Sequence, residues 1–131
     1  MRSDREHIVS VISHYLTART EILFAYVFGS IVESGAFQDV DVAVYRSDDL
    51  ENGDGLEYAL KMSLALERKI GCPVDVVLMN TAADHLIHSI SRGRVVVNRD
   101  DDARADFITS SWSRYFDVQR KRQQAIVDML S

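Results

Sequence analysis

The sequence predicts an α/β (α+β) fold in which a small sheet is flanked by helices. Two apolar runs, Ile22–Phe28 and residues 73–80, have the length and the β-branched or aromatic content of buried strands. Segments with apolar residues at helical spacing alternate with these strands. The 131 residues fit one domain over residues 1–131, with a core over about 5–98 and a helical segment over about 101–131.

The first predicted element is a helix. Ser3 followed by Glu6 has the pattern of a capping box, in which each side chain bonds the backbone of the other residue. The apolar residues that come next recur at the spacing of one helix face. They are Ile8, Val11, Ile12, Tyr15 and Leu16.

Two strands separated by a tight turn follow this helix. The run Ile22–Phe28 stops at Gly29 and Ser30, and a short turn or helical segment over about residues 31–37 leads to a second strand over about residues 39–46. A loop is then predicted from residue types that favour turns. They are Asp48, Asp49, Asn52, Gly53 and Gly55.

The remaining chain continues to alternate between helix and strand. A helix is predicted to end at Gly71, and a second one, capped by Thr81 and Asp84, is predicted to end at Gly93. Residues 95–97 are predicted to form a short fourth strand, and the chain from about residue 101 onward one or two helices. The apolar face before Gly71 comprises Leu56, Ala59, Leu60, Leu64, Leu66 and Ile70, and the final packing residues comprise Phe107, Trp112, Tyr115, Phe116, Ile126 and Leu130.

Composition narrows the class of function. Hydrophobic residues make up 47% of the chain and charged residues 27%, as in ordinary soluble globular proteins. The formal net charge of −5 disfavours direct nucleic-acid binding, because proteins that bind phosphate backbones usually carry excess positive charge. The basic cluster of Arg114, Arg120, Lys121 and Arg122 is interpreted as a solvated helix face. With Cys72 as the only cysteine and no membrane-spanning run, we expect a cytoplasmic protein without membrane contact.

Three carboxylates on two predicted strands indicate the chemistry. Asp39 and Asp41 point to the same side of the second strand, roughly 6–7 Å apart, because strand residues alternate faces. Asp75 is the only charged residue within the third strand. A divalent metal bridging to a nucleotide phosphate would compensate these charges, and all three converge if the strands are neighbours. The alternative interpretation is the polar face of an edge strand.

Gly29 and Ser30 follow directly on a buried strand. A glycine at this position lets the backbone turn sharply and approach a ligand closely. A serine that opens the next turn offers its hydroxyl and backbone N–H groups to a phosphate. An isolated Gly-Ser pair would instead indicate an ordinary tight turn with a serine cap.

Taken in chain order, the segments VFGS (residues 27–30), DVDVAV (39–44) and VDVVL (74–78) resemble the polymerase-β-like nucleotidyltransferase superfamily. The closest resemblance is to its minimal branch, the MNT-type antitoxins encoded beside HEPN-domain toxins. It implies a small mixed sheet over about residues 5–98. It also implies that Asp39, Asp41 and Asp75 bind Mg²⁺ or Mn²⁺, with Asp75 a candidate base, and that Gly29 and Ser30 hold the β- and γ-phosphates of ATP.

The resemblance further implies a reaction and a partner. AMP would pass from ATP to a hydroxyl, a tyrosine of the HEPN toxin, and silence that toxin. The core takes up most of the chain, so a partner is expected to present the acceptor. The HEPN signature itself (an arginine, then His-x-Tyr) is absent, because His14 and Tyr15 are adjacent.

Two alternative functions stay open at this point. The segment over residues 31–38 is shorter than in many family members, which favours a non-catalytic module that neutralises a toxin by covering its surface. The other alternative is a nucleotidyltransferase that acts as a homodimer on a small aminoglycoside-like alcohol.

Overall fold

The computed structural model describes residues 2–33, 35–47 and 55–131, without the side chains of Arg2 and Ser3. Eight helices and strands make up these described parts, together with two short 3₁₀ turns, Gly29–Ile31 and Met79–Thr81. In chain order the helices and strands are α1 (Arg2–Thr17), β1 (Ile22–Phe28), β2 (Val40–Arg46), α2 (Gly55–Ile70), β3 (Val74–Leu78), α3 (Asp84–Ser91), β4 (Arg94–Asn98) and α4 (Asp101–Leu130).

The four strands form one mixed sheet in the order β3-β2-β1-β4. Strand β1 pairs antiparallel with both β2 and β4, whereas β2 pairs parallel with β3. Parallel neighbours need a crossover connection, and α2 provides it. The predicted fold class, a small mixed sheet flanked by helices, is confirmed.

The two faces of the sheet bury different side chains. On one face, Val40, Val42 and Val44 of β2 pack in a core shared with α1 and α2. On the other face, Ala43 packs with Phe24 and with residues of α3 and α4. Each fully buried aliphatic or aromatic side chain contributes roughly 1.5–3 kcal/mol relative to exposure. The alternation predicted for the second strand is therefore confirmed.

The apolar face predicted for the second helix is partly wrong. Ala59 and Leu66 are buried, but Met62 completes the buried face of α2, and three of the leucines point to solvent. A helix that lies on a sheet buries only one stripe of positions three and four apart, and here that stripe runs through Met62. The exposed leucines form a second stripe, with exposed fractions of 73% for Leu56, 55% for Leu60 and 55% for Leu64. The predicted end of the helix at Gly71 is confirmed by its positive φ of 78°.

The final segment is a single helix of 30 residues, about 45 Å long by the rise of an α-helix. Asp100 caps it by accepting a hydrogen bond from the Ala103 N–H at 3.0 Å. Phe107, Trp112 and Tyr115 contact other residues of the protein as predicted. The prediction is wrong at the far end, because residues 120–131 are all exposed to solvent and none of them joins the core. Exposed fractions there are 52% for Ile126 and 83% for Leu130. Phe116 precedes this segment and is 49% exposed, but its ring meets His88 of α3 edge-on at 5.6 Å, as predicted for a packing residue.

Two smaller predictions concern helix starts. Thr81 does not cap α3, because it lies in a 3₁₀ turn and Ala83 occupies the cap position without a side-chain bond. The Asp84 carboxylate instead accepts hydrogen bonds from Ser111 and Arg114 of α4. The Ser3 side chain and the predicted loop residues Asp48, Asp49, Asn52 and Gly53 lie outside the described residues. Gly55, the last residue predicted for that loop, is instead the first residue of α2. Over the described ranges, we find no helix long and apolar enough to cross a membrane.

Candidate functional site

The register of the sheet brings the predicted carboxylates to one end of the molecule. Asp41 of β2 pairs with Asp75 of β3 in the parallel ladder and with Phe28 of β1 on its other side. Asp39 comes directly before β2, whose first N–H, that of Val40, donates a hydrogen bond to a carbonyl of the segment before β3. The two strands are therefore neighbours, as the convergence of the three carboxylates requires.

Electrostatic repulsion is concentrated on the central carboxylate. Burial raises the pKa of Asp41, and the negative charges of Asp75 and Asp39 raise that pKa further. Asp39 and Asp75 are themselves exposed to solvent. In the described ranges no lysine, arginine or histidine forms an ion pair with any of the three. This end of the sheet thus carries an excess of negative charge that a cationic ligand would relieve.

The turn after β1 lies directly against Asp41. Gly29 has a φ of +75°, and a Cβ atom at this position would overlap the Asp41 carboxylate. The backbone conformation therefore favours glycine, and a side chain at this position would have to displace the Asp41 carboxylate. Ser30 follows in the 3₁₀ turn, half-buried, and its hydroxyl reaches the carbonyl oxygen of Asp39 only at 3.5 Å. Gly29 and Ser30 thus lie at the same end of the sheet as the carboxylates.

The chemistry of these donors fits a hard divalent cation that shares its coordination sphere with a substrate. In the parts of the chain described by the structure, no three His, Cys, Asp or Glu side chains are gathered to hold a metal by themselves. Mg²⁺ in nucleotide sites is commonly held by one or two carboxylates together with substrate phosphates. Asp41, flanked by two further carboxylates, meets that requirement.

A cleft of about 340 Å³, which no sequence pattern predicted, lies beside Gly29. Its walls come from the end of β1, the turn after it and the α3–β4 turn. The lining residues are Phe28, Gly29, Val32, Glu33, Ser89, Arg92 and Gly93. Only the pairing of β4 with β1 brings Arg92 here, and this long-range contact has no local sequence pattern.

Three surface cavities larger than this cleft, two of about 490 Å³ and one of about 390 Å³, lie along α1. Helix α1 covers the face of the sheet opposite to Asp41. The lining residues of these cavities include none of the three carboxylates. We therefore place the candidate site by its carboxylates rather than by cavity size.

Comparison with solved structures supports the fold. A chain from a complex of a tri-AMPylated Shewanella oneidensis HEPN toxin with an MNT antitoxin is similar at 24% identity and a TM-score of 0.69, covering 97% of this chain and 99% of that one. A chain from a MntA–HepT toxin–antitoxin structure has 22% identity and a TM-score of 0.65, covering 100% of both chains. A toxin–antitoxin structure with AMP-PNP contains a chain at 26% identity and a TM-score of 0.65, covering 92% of this chain and 96% of that one.

Comparison with protein-family models shows which family the chain belongs to. No curated protein sequence matches this chain significantly. The family model described as polymerase beta, nucleotidyltransferase matches residues 10–102, which is more than half of the chain and includes β1, β2 and β3. The family predicted from the sequence is confirmed. The chain therefore belongs to the polymerase beta nucleotidyltransferase family, and it is an enzyme of the nucleotidyltransferase class.

Proposed function

We propose that this chain is a metal-dependent nucleotidyltransferase that transfers AMP from ATP to a tyrosine hydroxyl of a HEPN-domain toxin and so acts as its antitoxin. The observation that carries this proposal is the placement of Asp39, Asp41 and Asp75 beside Gly29 at one end of the sheet. The similar structures include a tri-AMPylated HEPN toxin with an MNT antitoxin and a complex with AMP-PNP, and both support it.

The proposed roles follow from position. Asp39 and Asp41 hold the metal, and Gly29 and Ser30 bind the β- and γ-phosphates through backbone N–H groups and the Ser30 hydroxyl, whose hydrogen bond to the Asp39 carbonyl oxygen is long at 3.5 Å. When bound, Mg²⁺ supplies positive charge against the α-phosphate and the leaving pyrophosphate. Asp39 and Asp41 are anionic like the phosphate, so they would position the α-phosphate for in-line attack only through the cation that they would hold.

Asp75 is assigned to the acceptor. It is exposed on β3, which is an edge strand of the sheet, so a macromolecule can reach it. In the proposed step the acceptor oxygen forms a bond to the α-phosphorus, and the bond from that phosphorus to the β-phosphate oxygen breaks. Pyrophosphate leaves, and the Asp75 carboxylate accepts the hydroxyl proton.

Incubation of the chain with labelled ATP, Mg²⁺ and the HEPN protein encoded beside it tests the proposal. We expect AMP on the partner, and a loss of at least about 100-fold in rate for the double variant Asp39→Asn/Asp41→Asn. The double variant Asp102→Asn/Asp106→Asn removes the same charge from exposed positions of α4 and should leave the rate unchanged. An unlabelled partner, or full labelling by the Asp39/Asp41 variant, would contradict the proposal.

A second candidate is a module that neutralises the toxin by binding alone. The exposed apolar end of α4 favours it, because Ile126, Val127, Met129 and Leu130 are each more than half exposed. This function predicts that the Asp39→Asn/Asp41→Asn variant still protects cells from the toxin, whereas the proposed transferase predicts loss of protection. Label transfer to an aminoglycoside-like alcohol without any partner would instead favour a homodimeric small-molecule enzyme.

A further inference from the structure

The cleft beside Gly29 joins the acidic end of the sheet to one basic side chain. Asp41 pairs with Phe28 across β2 and β1, and Val27 pairs with Arg94 across β1 and β4. Asp41, Phe28 and Gly93 therefore lie side by side in one row across three strands. Two interstrand spacings, about 10 Å, separate the Asp41 backbone from that of Gly93.

The turn that carries Arg92 is held firmly in this row. Arg92 is the C-terminal cap of α3, and its N–H donates to Ser89 O at 3.2 Å. A Cβ atom on Gly93 would overlap the carbonyl oxygen of Val27 and lie 2.8 Å from the Phe28 Cβ. The α3–β4 turn thus packs directly on the end of β1. The base of the Arg92 side chain is fixed relative to Gly29.

The Arg92 guanidinium is available to a ligand. It is exposed, and the described parts of the chain give it no side-chain hydrogen bond or ion pair. Other arginines are already paired, as Arg94 is with Glu6, Arg104 with Asp101 and Arg114 with Asp84.

Glu33 lies in the same cleft and opposes Arg92 in charge. Its side chain is exposed, and it forms no ion pair with Arg92 in the described structure. Arg92 is the one cationic residue among the described residues that line the cleft. A polyphosphate beside three carboxylates and Glu33 needs positive charge from the protein as well as from its metal.

We propose that Arg92 binds the β- and γ-phosphates of the nucleotide on the side of Gly29 opposite to Asp41. This inference rests on the proposed function and names a residue of the same site. A triphosphate that places its α-phosphate near Asp41 and crosses Gly29 extends toward the α3–β4 turn. The planar guanidinium presents paired N–H donors that match phosphate oxygens, which a lysine at this position would not.

Calorimetric titration of the full chain with AMP-PNP and Mg²⁺, and separately with AMP, tests the inference. Arg92→Ala should weaken AMP-PNP binding by about 10- to 100-fold, the range expected for a lost charged hydrogen bond, and leave AMP binding unchanged. Arg92→Lys should fall between Arg92→Ala and the wild type. Glu33→Gln should strengthen AMP-PNP binding, because it removes a like charge from the cleft. Arg92→Ala should also keep the wild-type midpoint of thermal unfolding.

Arg94→Ala is the matched control. It removes the same charge two residues away, but the Arg94 side chain pairs with Glu6 of α1 on the opposite face of the sheet. Its AMP-PNP affinity should equal that of the wild type. Equal AMP-PNP affinity for Arg92→Ala and wild type, or equal weakening of AMP and AMP-PNP, would overturn the inference and leave the proposed function intact. A wild type that binds no AMP-PNP with Mg²⁺ would overturn both.

Discussion

The two ends of one face of β2 differ in polarity, because one end is charged and the other is aromatic. Asp41 stands at the start of this face among like charges, and Tyr45, four residues later, lies in an aromatic cluster. The Tyr45 ring stacks on Phe24 at 4.5 Å and meets Phe107 of α4 at 4.9 Å. About 13 Å of strand separate an electrostatically unfavourable end from a well-packed one. The packed end holds the strand in place, so the strand tolerates unpaired carboxylates at its other end.

The largest expected effect comes from disturbing the charged end alone. Gly29→Ala would force its Cβ into the Asp41 carboxylate and displace it, so we expect AMP transfer to fall by about 100-fold. Steady-state labelling of the partner with ATP and Mg²⁺ measures this change. A variant that transfers AMP at the wild-type rate would show that Asp41 does not depend on the Gly29 turn.

Gly71→Ala is the control for backbone strain at Gly29. Gly71 has nearly the same φ, 78° against 75°, but an added Cβ there has no neighbour within 4 Å. Both variants should lose about 1 kcal/mol of stability from the positive φ, measured by urea unfolding. Only Gly29→Ala should lose the transfer activity. An equal loss of activity in the two variants would assign the effect to stability.

The next effect comes from the packed end. Tyr45→Ala removes two ring contacts, and we expect a loss of about 2–3 kcal/mol in the free energy of unfolding. Tyr45→Phe keeps both rings in contact and should stay within about 0.5 kcal/mol of the wild type. Urea unfolding followed by circular dichroism measures both variants. A neutral Tyr45→Ala variant would mean that the aromatic cluster does not hold this end of β2.

The same comparison shows why the charged end could be predicted from the sequence. The alternation of Asp39, Asp41 and Ala43 with valines is a local pattern, and it determines which side chains share a face of the strand. Gly29 directly after an apolar run is equally local. The neighbouring position of Asp75 followed from the family resemblance, and the parallel pairing of β2 with β3 confirms it.

Other features depend on contacts between distant segments. Arg92 joins the cleft only because β4 pairs with β1 and Gly93 fits against Val27. On α2, two sets of residues have helical spacing: Leu56, Leu60 and Leu64, which are exposed, and Ala59, Met62 and Leu66, which are buried. The position of the sheet decides which set is buried. Both features depend on long-range contacts, so local sequence patterns alone could not predict them.

The smallest expected effect concerns the charge repulsion around Asp41 at the start of β2. The folded-state pKa of Asp41 is raised, so its contribution to stability is fully present below the unfolded pKa and is lost as the pH rises through the folded pKa. At neutral pH, Asp41→Asn should therefore raise the midpoint of thermal unfolding of the metal-free chain, by on the order of 1 °C because the group is only partly buried.

This difference should vanish in acid, where the Asp41 carboxyl is protonated in both the folded and the unfolded chain. Added Mg²⁺ and AMP-PNP should reverse the order of the two midpoints, because only the wild type keeps the full carboxylate set to bind them. Differential scanning calorimetry across pH, with and without these ligands, follows both changes. A lower midpoint for the metal-free Asn variant at neutral pH would show that Asp41 stabilises the fold. The carboxylates at the start of β2 would then contribute to the stability of the fold, rather than lower the stability of the metal-free chain until a ligand binds.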